Sequence, residues 1–251
     1  MYLKSKNIVI TGGAGGMGSL LAKELTKEGA NIIIVDRVEK IDFKAKLITG
    51  DLSTLEGIKA INEKLLNENV DILVNLAGLQ YFGPAEEQSP EHTMLSYMVN
   101  LVAPVMLSQS LIKQMKERKS GHIVNIGSIF ASINYAYFAT YSSSKAGLKG
   151  FSEAIRRELK DDNIDITYIA PRAVKTPFNS GKVMELAELT KMNMDTPEHV
   201  VSLMVKAIKN KSKDIYIGFP EKLFVRVNAV CPRIVDGATV KDNKAAKSLF
   251  N

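Results

Sequence analysis

The chain has 251 residues, of which 45% are hydrophobic and 24% charged, a composition typical of a folded domain and not of a disordered or collagen-like chain. A single cysteine, Cys231, excludes an internal disulfide and favours a reducing, cytoplasmic location. The net charge of +6 is modest, and because the lysines are spread along the chain without a recognition motif, nucleic-acid binding is not predicted.

Short β-branched runs alternate along the chain with longer stretches of helical periodicity. The predicted strands are Asn7–Thr11, Asn31–Val35, Lys46–Thr49, Val70–Asn75, His122–Ile126, Ile164–Ile169 and Asp214–Ile217. The predicted helices are Met17–Glu28, Leu55–Asn67, Glu91–Lys116, Tyr141–Lys160 and Pro197–Lys209. Several strands are apolar throughout, as in a sheet covered on both faces, so the pattern predicts one doubly wound α/β domain with a parallel sheet of about seven strands. No run is expected to reach the roughly 18 apolar residues of a membrane span.

A glycine-rich turn, Thr11-Gly-Gly-Ala-Gly-Gly-Met-Gly18, connects the first strand to the first helix. Glycines let the backbone approach a pyrophosphate closely, and the amino end of a helix offers free N–H groups and a partial positive charge. Asp36 ends the second strand, where a carboxylate accepts hydrogen bonds from ribose hydroxyls and repels a 2′-phosphate. The turn therefore predicts a dinucleotide site of the Rossmann type with NAD preferred over NADP, a preference that Arg37, a good phosphate partner, weakens.

Several motifs together resemble those of the short-chain dehydrogenase/reductase family, in its shorter form, over about residues 5–218. Asp51-Leu52 is similar to the acidic segment beside the adenine ring, and Asn75-Leu-Ala-Gly78 to the segment after the fourth strand, with Leu76 in place of a usual asparagine. The glycine turn alone also fits the longer members, but the chain length matches the shorter ones. The cofactor-binding residues that the resemblance implies are Thr11, Gly12, Gly16, Met17, Gly18, Asp36, Arg37, Asp51, Leu52, Asn75, Ala77, Gly78, Tyr141, Lys145, Pro171, Val174 and Thr176.

Ser128 closes the fifth strand and is followed by Tyr141-x-x-x-Lys145 at an interval usual in the family. A tyrosine and a lysine four apart share one face of a helix, and a nearby ammonium together with a positive nicotinamide ring favours the phenolate. Tyr141 is predicted to exchange a proton with the substrate while Ser128 holds the substrate oxygen. Lys145 is predicted to lower the pKa of Tyr141 and to bind the nicotinamide ribose. Asn100, where the family keeps a structural asparagine, is predicted to hold a water that links Lys145 to solvent.

The segment after the sixth strand departs from the family pattern at one position. Pro171-Arg172 stands where Pro-Gly is common, whereas Val174-x-Thr176 is kept, and the resemblance implies that Thr176 binds the nicotinamide carboxamide. Arg172 restricts the backbone more than glycine does, and its guanidinium is able to reach either a cofactor phosphate or an acidic substrate group. The sequence does not choose between these two partners.

Aromatic and methionine side chains concentrate in the segments that follow the fourth, fifth and sixth strands. They predict an apolar pocket for a lipophilic or alicyclic alcohol or ketone, although part of the set equally suits the core or a subunit contact. The methionine-rich segment 175–194 is predicted to be a flexible loop that covers the pocket. These side chains are Tyr81, Phe82, Phe130, Ile133, Tyr135, Tyr137, Phe138, Phe178, Met184, Leu186, Leu189, Met192 and Met194.

Residues 1–218 are predicted to form the dinucleotide-binding and catalytic domain, and residues 219–251 a C-terminal extension. Pro220 and Pro232 bracket a stretch that can run as one amphipathic helix of about three turns. Residues 219–235 are predicted to cover apolar surface of the same domain or of a neighbouring subunit, with a peripheral membrane contact or another protein as alternatives. The polar stretch after residue 240 is predicted to fray.

The sequence thus predicts an NAD(H)-dependent oxidoreductase that interconverts a secondary alcohol and a ketone on an apolar small molecule. The alternative from another class is a dinucleotide-sensing protein on the same fold that has no turnover. The resemblance implies a homodimer or homotetramer formed through the helices that begin near Glu91 and Tyr141. No metal site is predicted, because His92, His122 and His199 are far apart in sequence and form no ligand pattern.

Overall fold

A parallel sheet forms the centre of the molecule in a computed structural model that describes residues 2–250. Its strands are β1 (Asn7–Thr11), β2 (Asn31–Asp36), β3 (Lys46–Thr49), β4 (Ile72–Asn75), β5 (Gly121–Ile126), β6 (Ile164–Ala170) and β7 (Asp214–Tyr216). All neighbours pair in parallel, in the order β3-β2-β1-β4-β5-β6-β7. This confirms the predicted doubly wound fold, and the strand ends differ from the prediction by two residues at most.

Helices cover both faces of the sheet. They are α1 (Gly16–Lys27), α2 (Leu55–Leu65), α3 (Pro90–Tyr97), α4 (Ala103–Glu117), α5 (Phe130–Ile133), α6 (Ala139–Glu158), α7 (Lys182–Thr190), α8 (Pro197–Lys209), α9 (Glu221–Val230) and α10 (Pro232–Ser248). One buried cluster packs α1 and α8 on one face, and a second packs α2, α4 and α6 on the other. In β2, Ile32 and Ile34 belong to the first cluster and Ile33 to the second, which explains why this strand is apolar throughout.

The long helix predicted over 91–116 is interrupted by a five-residue π turn, Met98–Val102, between α3 and α4. Pro104 has no N–H to donate to the carbonyl of Asn100 four residues earlier, and this missing hydrogen bond accounts for the wider turn. Contrary to expectation, the run Pro90–Glu117 contains an 18-residue stretch with a mean hydropathy of 1.4, and it therefore matches a membrane span by length and composition. Its apolar residues Leu107 and Leu111 are buried in the core, which accounts for that hydropathy.

The order of the strands reverses between β1 and β4, because β2 follows on one side and β4 with β5 on the other. In open parallel sheets a crevice forms at such a switch, outside the carboxyl ends of the strands, and ligands bind there. The loops after β1, β2, β4, β5 and β6 therefore converge on one edge of the sheet. All the site residues predicted from the sequence lie on these loops, on the strand ends beside them, on the first turn of α1, or on the π turn and α6.

The C-terminal extension forms two packed helices, and the predicted fraying after residue 240 was wrong. Helix α9 lies between Pro220 and Pro232 and contacts α5, while α10 continues to Ser248 and contacts α7. Ala246 is fully buried, and the ring of Phe250 lies 5.1 Å from that of Phe82 and 5.6 Å from that of Tyr137. The chain stays ordered as far as Phe250 because these apolar contacts attach it to the body of the molecule, and Asn251 lies outside the described residues.

Candidate active site

A cavity of about 590 Å³ opens at the carboxyl edge of the sheet, a volume suited to a small-molecule ligand. Its glycine-rich end lies between β1 and β2, and its apolar end lies between α5, α6 and the segment after β6. Most of the predicted site residues line it: Gly12, Gly16, Met17, Gly18, Asp36, Arg37, Asp51, Leu52, Ala77, Gly78, Ser128, Tyr141, Lys145, Pro171, Val174 and Thr176. Thr11, Asn75 and Asn100 do not line it.

The glycines of the turn differ in how much space a side chain would have at each position. Gly12 has a φ of +67°, and a Cβ on it would lie 2.8 Å from the Cα of Ala77. A Cβ on Gly18 would lie 2.3 Å from the carbonyl oxygen of Gly12, so α1 could not start so close to the turn. Gly16 has free space instead, since its nearest neighbours, Thr176 and Pro177, would be 3.8 Å from a Cβ. Steric crowding within the protein therefore does not require glycine at position 16, where a side chain would contact the cavity-lining Thr176 and Pro177.

Two residues expected to contact a cofactor are used by the protein instead. The Thr11 hydroxyl accepts hydrogen bonds from the N–H groups of Leu76 (3.0 Å) and Ala77 (3.1 Å), which ties the glycine turn to the loop after β4. The Asn75 side chain is buried and donates to Asn125 Oδ1 at 2.8 Å. Both lie one layer behind the cavity wall, so here they hold the wall in place.

The acidic groups at the adenine end are fixed by backbone N–H groups. The Asp36 carboxylate accepts from the N–H of Ala14 at 3.0 Å and from that of Arg37 at 2.7 Å. Asp51 accepts from the N–H of Ser53 at 2.8 Å, and this hydrogen bond holds the pKa of Asp51 below its usual value. The carboxylate of Asp36 thus faces the cavity in a set orientation, and the exposed Arg37, whose charge also acts on Asp51, lines the cavity as well.

Tyr141, Ser128 and Lys145 meet at the middle of the cavity and are all nearly buried. Tyr141 and Lys145 lie one turn apart on α6, and Ser128 follows the end of β5, where its hydroxyl accepts from the N–H of Phe130 at 3.1 Å. The Lys145 ammonium donates to the carbonyl of Ile126 at 2.9 Å. Within residues 2–250 it forms no ion pair with a carboxylate, so its charge is available to the cavity.

Burial moves the pKa values of the two central groups in opposite directions. It raises the pKa of Tyr141 to about 12, an effect that the Ser128 hydroxyl partly offsets. It lowers the pKa of Lys145 to about 8. At neutral pH the phenol is therefore protonated and the lysine is charged, because the pKa of each lies above 7. A cavity wall that presents a phenol, a hydroxyl and an ammonium can donate three hydrogen bonds to polar groups of a ligand.

Asn100 supports this wall without reaching the cavity. Its amide accepts from the N–H of Leu79 and donates to the carbonyl of Leu79, both at 2.8 Å, and it also donates to Ser144 Oγ at 3.0 Å. The side chain is fully buried, so it fastens the loop after β4 to α6. That Asn100 holds a water between Lys145 and solvent stays a prediction. Ser144, three residues after Tyr141 on α6, is buried and supplies the oxygen to which this amide donates.

Arg172 pairs with acidic side chains of the protein. Its guanidinium donates to both carboxylate oxygens of Asp195, at 2.7 and 3.0 Å, and to Glu221 at 3.1 Å and the carbonyl of Phe219 at 3.2 Å. These contacts join the segment after β6, the segment before α8 and the start of α9. Gly218, whose φ is +112°, leaves room for the Arg172 side chain, because a Cβ there would lie 2.6 Å from its Cδ.

Fewer of the predicted apolar side chains line the cavity than the sequence suggests. Many of the other predicted side chains pack behind this wall: the ring of Phe82 stacks on that of Phe138 at 4.7 Å, for example. Leu95 and Val99 of α3 and the π turn were missed, because nothing in their local sequence distinguishes them from core residues. The apolar side chains that line this end are Leu95, Val99, Phe130, Phe138, Phe178, Val183 and Met192.

The segment 175–194, predicted as a loop, contains helix α7 and is fastened at several points. Val174 pairs with Asp195 as in a parallel ladder, and the carbonyl of Val174 accepts from Asn179 at 2.8 Å. Gln80, after β4, donates to Asn179 Oδ1 at 3.1 Å and to the carbonyl of Phe178. The segment 175–194 is therefore an ordered wall of the cavity, and hydrogen bonds attach it to the loop after β4.

The cavity fits a dinucleotide at the level of its own groups. The close turn at Gly12 and Gly18 brings the free N–H groups of the start of α1 to the cavity, where a pyrophosphate would be held. Asp36 stands where a ribose would bind, and Lys145 and Thr176 line the cavity near Tyr141. These residues would hold the cofactor that the glycine turn predicts.

Comparison with known proteins identifies the family. The family model described as short chain dehydrogenase matches residues 6–186. The ketoacyl reductase HetN of Nostoc sp. is 29% identical, over 93% of this chain and 88% of its own. The 3-dehydrosphinganine reductase of Danio rerio is 32% identical, over 82% of this chain and 69% of its own. Both relatives are reductases by name.

Two solved structures of similar fold hold two different cofactors. A 4-hydroxyisoleucine dehydrogenase in complex with NADH is 27% identical, with a TM-score of 0.75, over 85% of this chain and 97% of that chain. A gluconate 5-dehydrogenase from Beutenbergia cavernae with bound NADP is 26% identical, with a TM-score of 0.76, over 85% and 95%. The family model and these similarities together show that the chain belongs to the short-chain dehydrogenase/reductase family of NAD(P)-linked oxidoreductases.

Proposed function

We propose that this protein is an NAD(H)-dependent oxidoreductase that interconverts a secondary alcohol and a ketone on a lipophilic or alicyclic small molecule. The observation that carries the proposal is the meeting of Tyr141, Ser128 and Lys145 in one cavity, between a glycine-rich cradle and an apolar wall. A binding protein without turnover would need the cradle but not a buried phenol beside a buried, unpaired ammonium. The names of the two reductase relatives agree with a ketone as substrate.

The proposed chemistry assigns one task to each central side chain. The bound dinucleotide supplies or accepts the hydride. Ser128 donates a hydrogen bond to the substrate oxygen and stabilises the negative charge that develops there during reduction. Tyr141 gives its proton to that oxygen when a ketone is reduced and takes it back when an alcohol is oxidised. Lys145 favours the phenolate of Tyr141 through its charge and binds the ribose next to the nicotinamide.

The protonation states support reduction at neutral pH. A general acid must be protonated before it reacts, and the pKa of Tyr141, raised to about 12 by burial, keeps the phenol protonated. Alcohol oxidation needs the opposite state, so it depends more strongly on the Lys145 charge. Because burial lowers the pKa of Lys145 to about 8, that charge is lost as the pH rises above 8 in the free protein.

The apolar end of the cavity supports the choice of substrate. Three of its side chains are phenylalanines, Phe130, Phe138 and Phe178, and Met192 adds a side chain that adapts to irregular shapes. Arg172 also lines the cavity, but its guanidinium is paired with Asp195 and Glu221. An acidic substrate would therefore have to displace an existing ion pair, whereas an apolar ketone would not.

The experiment that tests the proposal is a comparison of Tyr141→Phe with the wild type on a panel of alicyclic and straight-chain ketones with NADH. Loss of general acid help lowers kcat about 10²–10⁴-fold, while NADH binding, followed by nucleotide fluorescence, stays intact. Tyr97→Phe is the matched control, because it removes a hydroxyl that bonds Ser143 at 2.7 Å outside the cavity. Tyr141→Phe turnover above roughly a tenth of wild type would exclude the assigned role. NADH binding without turnover of any ketone would favour the dinucleotide sensor.

The preference for NAD rests on Asp36, whose carboxylate repels a 2′-phosphate. We expect NADH to bind at least about tenfold more tightly than NADPH, and Asp36→Ala to remove most of this difference. Arg37→Gln is the opposing variant and should increase the preference, because it removes the guanidinium able to pair with a phosphate. Equal binding of both nucleotides by the wild type would show that Arg37 outweighs Asp36.

We also propose a homodimer or homotetramer built through α3–α4 and α6, in a reducing, cytoplasmic environment. Met94 on α3 is 63% exposed, which suits a contact with another subunit. The Cys231 thiol is exposed, and a reducing environment keeps it from forming a disulfide between chains. Light scattering of the purified protein, with Met94→Lys as the interface variant, gives the number of subunits.

A further inference from the structure

The two C-terminal helices expose an unusual amount of apolar surface. Of the eleven large hydrophobic side chains that are exposed within residues 2–250, five fall between residues 219 and 240. Val230 is 80% exposed, Phe219 77% and Ile234 60%, and Leu223 and Val240 are about half exposed. Apolar groups clustered in this way mark a surface that contacts something other than water. We call residues 219–241 the tail corner.

The apolar side chains of α9 share its outward face. Leu223, Arg226 and Val230 are three and four residues apart and so lie on one side of the helix. Val225 and Asn228 lie on the other side, where Val225 is buried and Asn228 donates to the carbonyl of Ser132 at 2.7 Å. The outward face is therefore not the face by which α9 attaches to the molecule.

Cations border this face. Lys222, Arg226 and Arg233 are exposed, and the whole extension from 219 to 251 carries six cationic against three acidic side chains. Among those acids, Glu221 is held inward by Arg172, and Asp236 pairs with Arg233 at 3.2 Å in water. Within residues 2–250, Lys222 and Arg226 form no ion pair, so the apolar face is surrounded by positive charge.

From this arrangement we infer that the tail corner docks on a bilayer surface that carries anionic lipid headgroups. An apolar stripe bordered by lysine and arginine suits the boundary between acyl chains and negatively charged headgroups. A second copy of this chain suits it less, because a twofold contact would bring each positive patch against itself. The docking is weak and reversible, since only a few side chains enter the interface.

The position of the tail corner connects this docking with the proposed substrate class. Helix α9 packs on α5, which supplies Phe130 to the cavity wall, and α10 packs on α7, which supplies Val183. A lipophilic ketone is concentrated in the bilayer, so docking would place the apolar end of the cavity near its supply. This link depends on the proposed function, whereas the docking itself does not.

The test is co-flotation of the full-length protein with vesicles of phosphatidylcholine, with or without roughly 30% phosphatidylserine. We expect the protein to float with the anionic vesicles only, and to be released at about 0.5 M NaCl, where surface charge is screened. The single cysteine, Cys231, lies at the bend between α9 and α10 and is exposed. A polarity-sensitive dye on its thiol should therefore shift to the blue when anionic vesicles are added.

Two sets of substitutions separate the apolar and the charged contributions. Lys222→Gln with Arg226→Gln and Arg233→Gln should lower the partition coefficient roughly a hundredfold, since each cation contributes about fivefold near an anionic surface. Leu223→Gln with Val230→Gln and Ile234→Gln should lower it at least about tenfold. The matched controls are Lys59, Lys113 and Lys206 to Gln, and Leu55 and Leu66 to Gln, all exposed elsewhere on the chain. They should leave the partition coefficient within about twofold.

NADH binding and the melting temperature of each variant report folding, and they do not depend on vesicles. Vesicle binding that persists in both sets of tail-corner variants would overturn the inference. The inference would also be overturned if the wild-type protein did not bind anionic vesicles and the replacement of Leu223 and Val230 changed the number of subunits. A second copy of the chain would then be the occupant of the tail corner. Failure to reduce any ketone would contradict the proposed function alone and would leave the vesicle result unaffected.

Discussion

The two ends of the cavity are built by different means. The cofactor end consists of backbone and glycine at the ends of neighbouring strands, where the glycine turn is fixed by a few close backbone contacts. The substrate end consists of side chains from α3, the π turn, α5, α6 and the segment between β6 and α8, which includes α7, and it is supported from behind by α10. The first end is set by the steric limits of one turn, and the second by cooperative packing of segments far apart in the chain.

This difference has an energetic consequence. At the cofactor end a single added methyl group meets backbone that cannot move away, as at Gly18. At the substrate end the contacts are many and individually replaceable, such as the stacked rings of Phe130 and Tyr135 at 4.9 Å. We therefore expect cofactor binding to fail sharply with one substitution, and the substrate end to weaken in steps.

The largest effect should come from Gly18→Ala. The new Cβ would lie 2.3 Å from the carbonyl oxygen of Gly12, so the turn must open, and NADH affinity should fall by a hundredfold or more, about 3 kcal/mol. Gly150→Ala is the control: nothing lies within 4 Å of its Cβ, and an alanine in a helix should add about 0.5–1 kcal/mol of stability. Nucleotide fluorescence and thermal unfolding of both variants give the two quantities. A Gly18→Ala protein that binds NADH normally would mean that the turn is not rigid.

The cofactor end was also the part most readily predicted from sequence. Apolar runs gave the strands, and the turn between β1 and α1 gave the cradle, because both signals lie within a few residues of the feature they specify. The spacing of Ser128, Tyr141 and Lys145 predicted the centre of the site for the same reason, because one helical turn brings Tyr141 and Lys145 to the same face of the helix.

The substrate end was predicted less well, because its partners are distant in sequence. Helix α10 has small apolar residues such as Ala246, whose burial depends on the surface of α7. Arg172 finds Asp195 and Glu221 only after the chain has folded, so its sequence neighbours could not reveal the ion pairs. For Asn100 the residue was found but not its partner, the backbone of Leu79, which comes from another loop.

A smaller effect, confined to the substrate end, is expected from Arg172→Gln. The substitution leaves Asp195, whose side chain is only 10% exposed, and Glu221 without a cation. The stability of the protein should fall by about 2–3 kcal/mol, less than for a fully buried pair, while NADH affinity changes by no more than a few-fold. Arg233→Gln is the control, since its pair with Asp236 is almost fully exposed and should contribute about 0.5 kcal/mol or less. Equal losses in the two variants, measured by denaturant unfolding, would show that the Arg172 ion pairs do not stabilise this end.

The smallest effect tests whether the two ends unfold together. His122 lies in β5, at the edge of the sheet opposite the cavity, where its ring nitrogens lie 2.8 Å from Thr167 Oγ1 and 3.3 Å from the Tyr2 hydroxyl. Burial lowers the pKa of His122 to about 4, below its usual 6.5. The unfolded chain therefore binds this proton at a higher pH than the folded one does, and stability is lost as the pH falls from 6.5 towards 4.

Between pH 7 and pH 5 this difference amounts to about 2 kcal/mol. His122→Gln should remove that part of the pH dependence, whereas His199→Gln, at an exposed position, should leave it unchanged. Strand β5 pairs with β4 on one side and β6 on the other, and Ser128 follows its end. Loss of β5 should therefore disrupt both ends of the cavity, so acid unfolding should affect the cofactor end and the substrate end at the same pH. NADH fluorescence reports the first end and a dye on Cys231 the second. If the dye responds at a higher pH than the nucleotide does, the substrate end unfolds separately, and the contrast between the two ends extends from their construction to their stability.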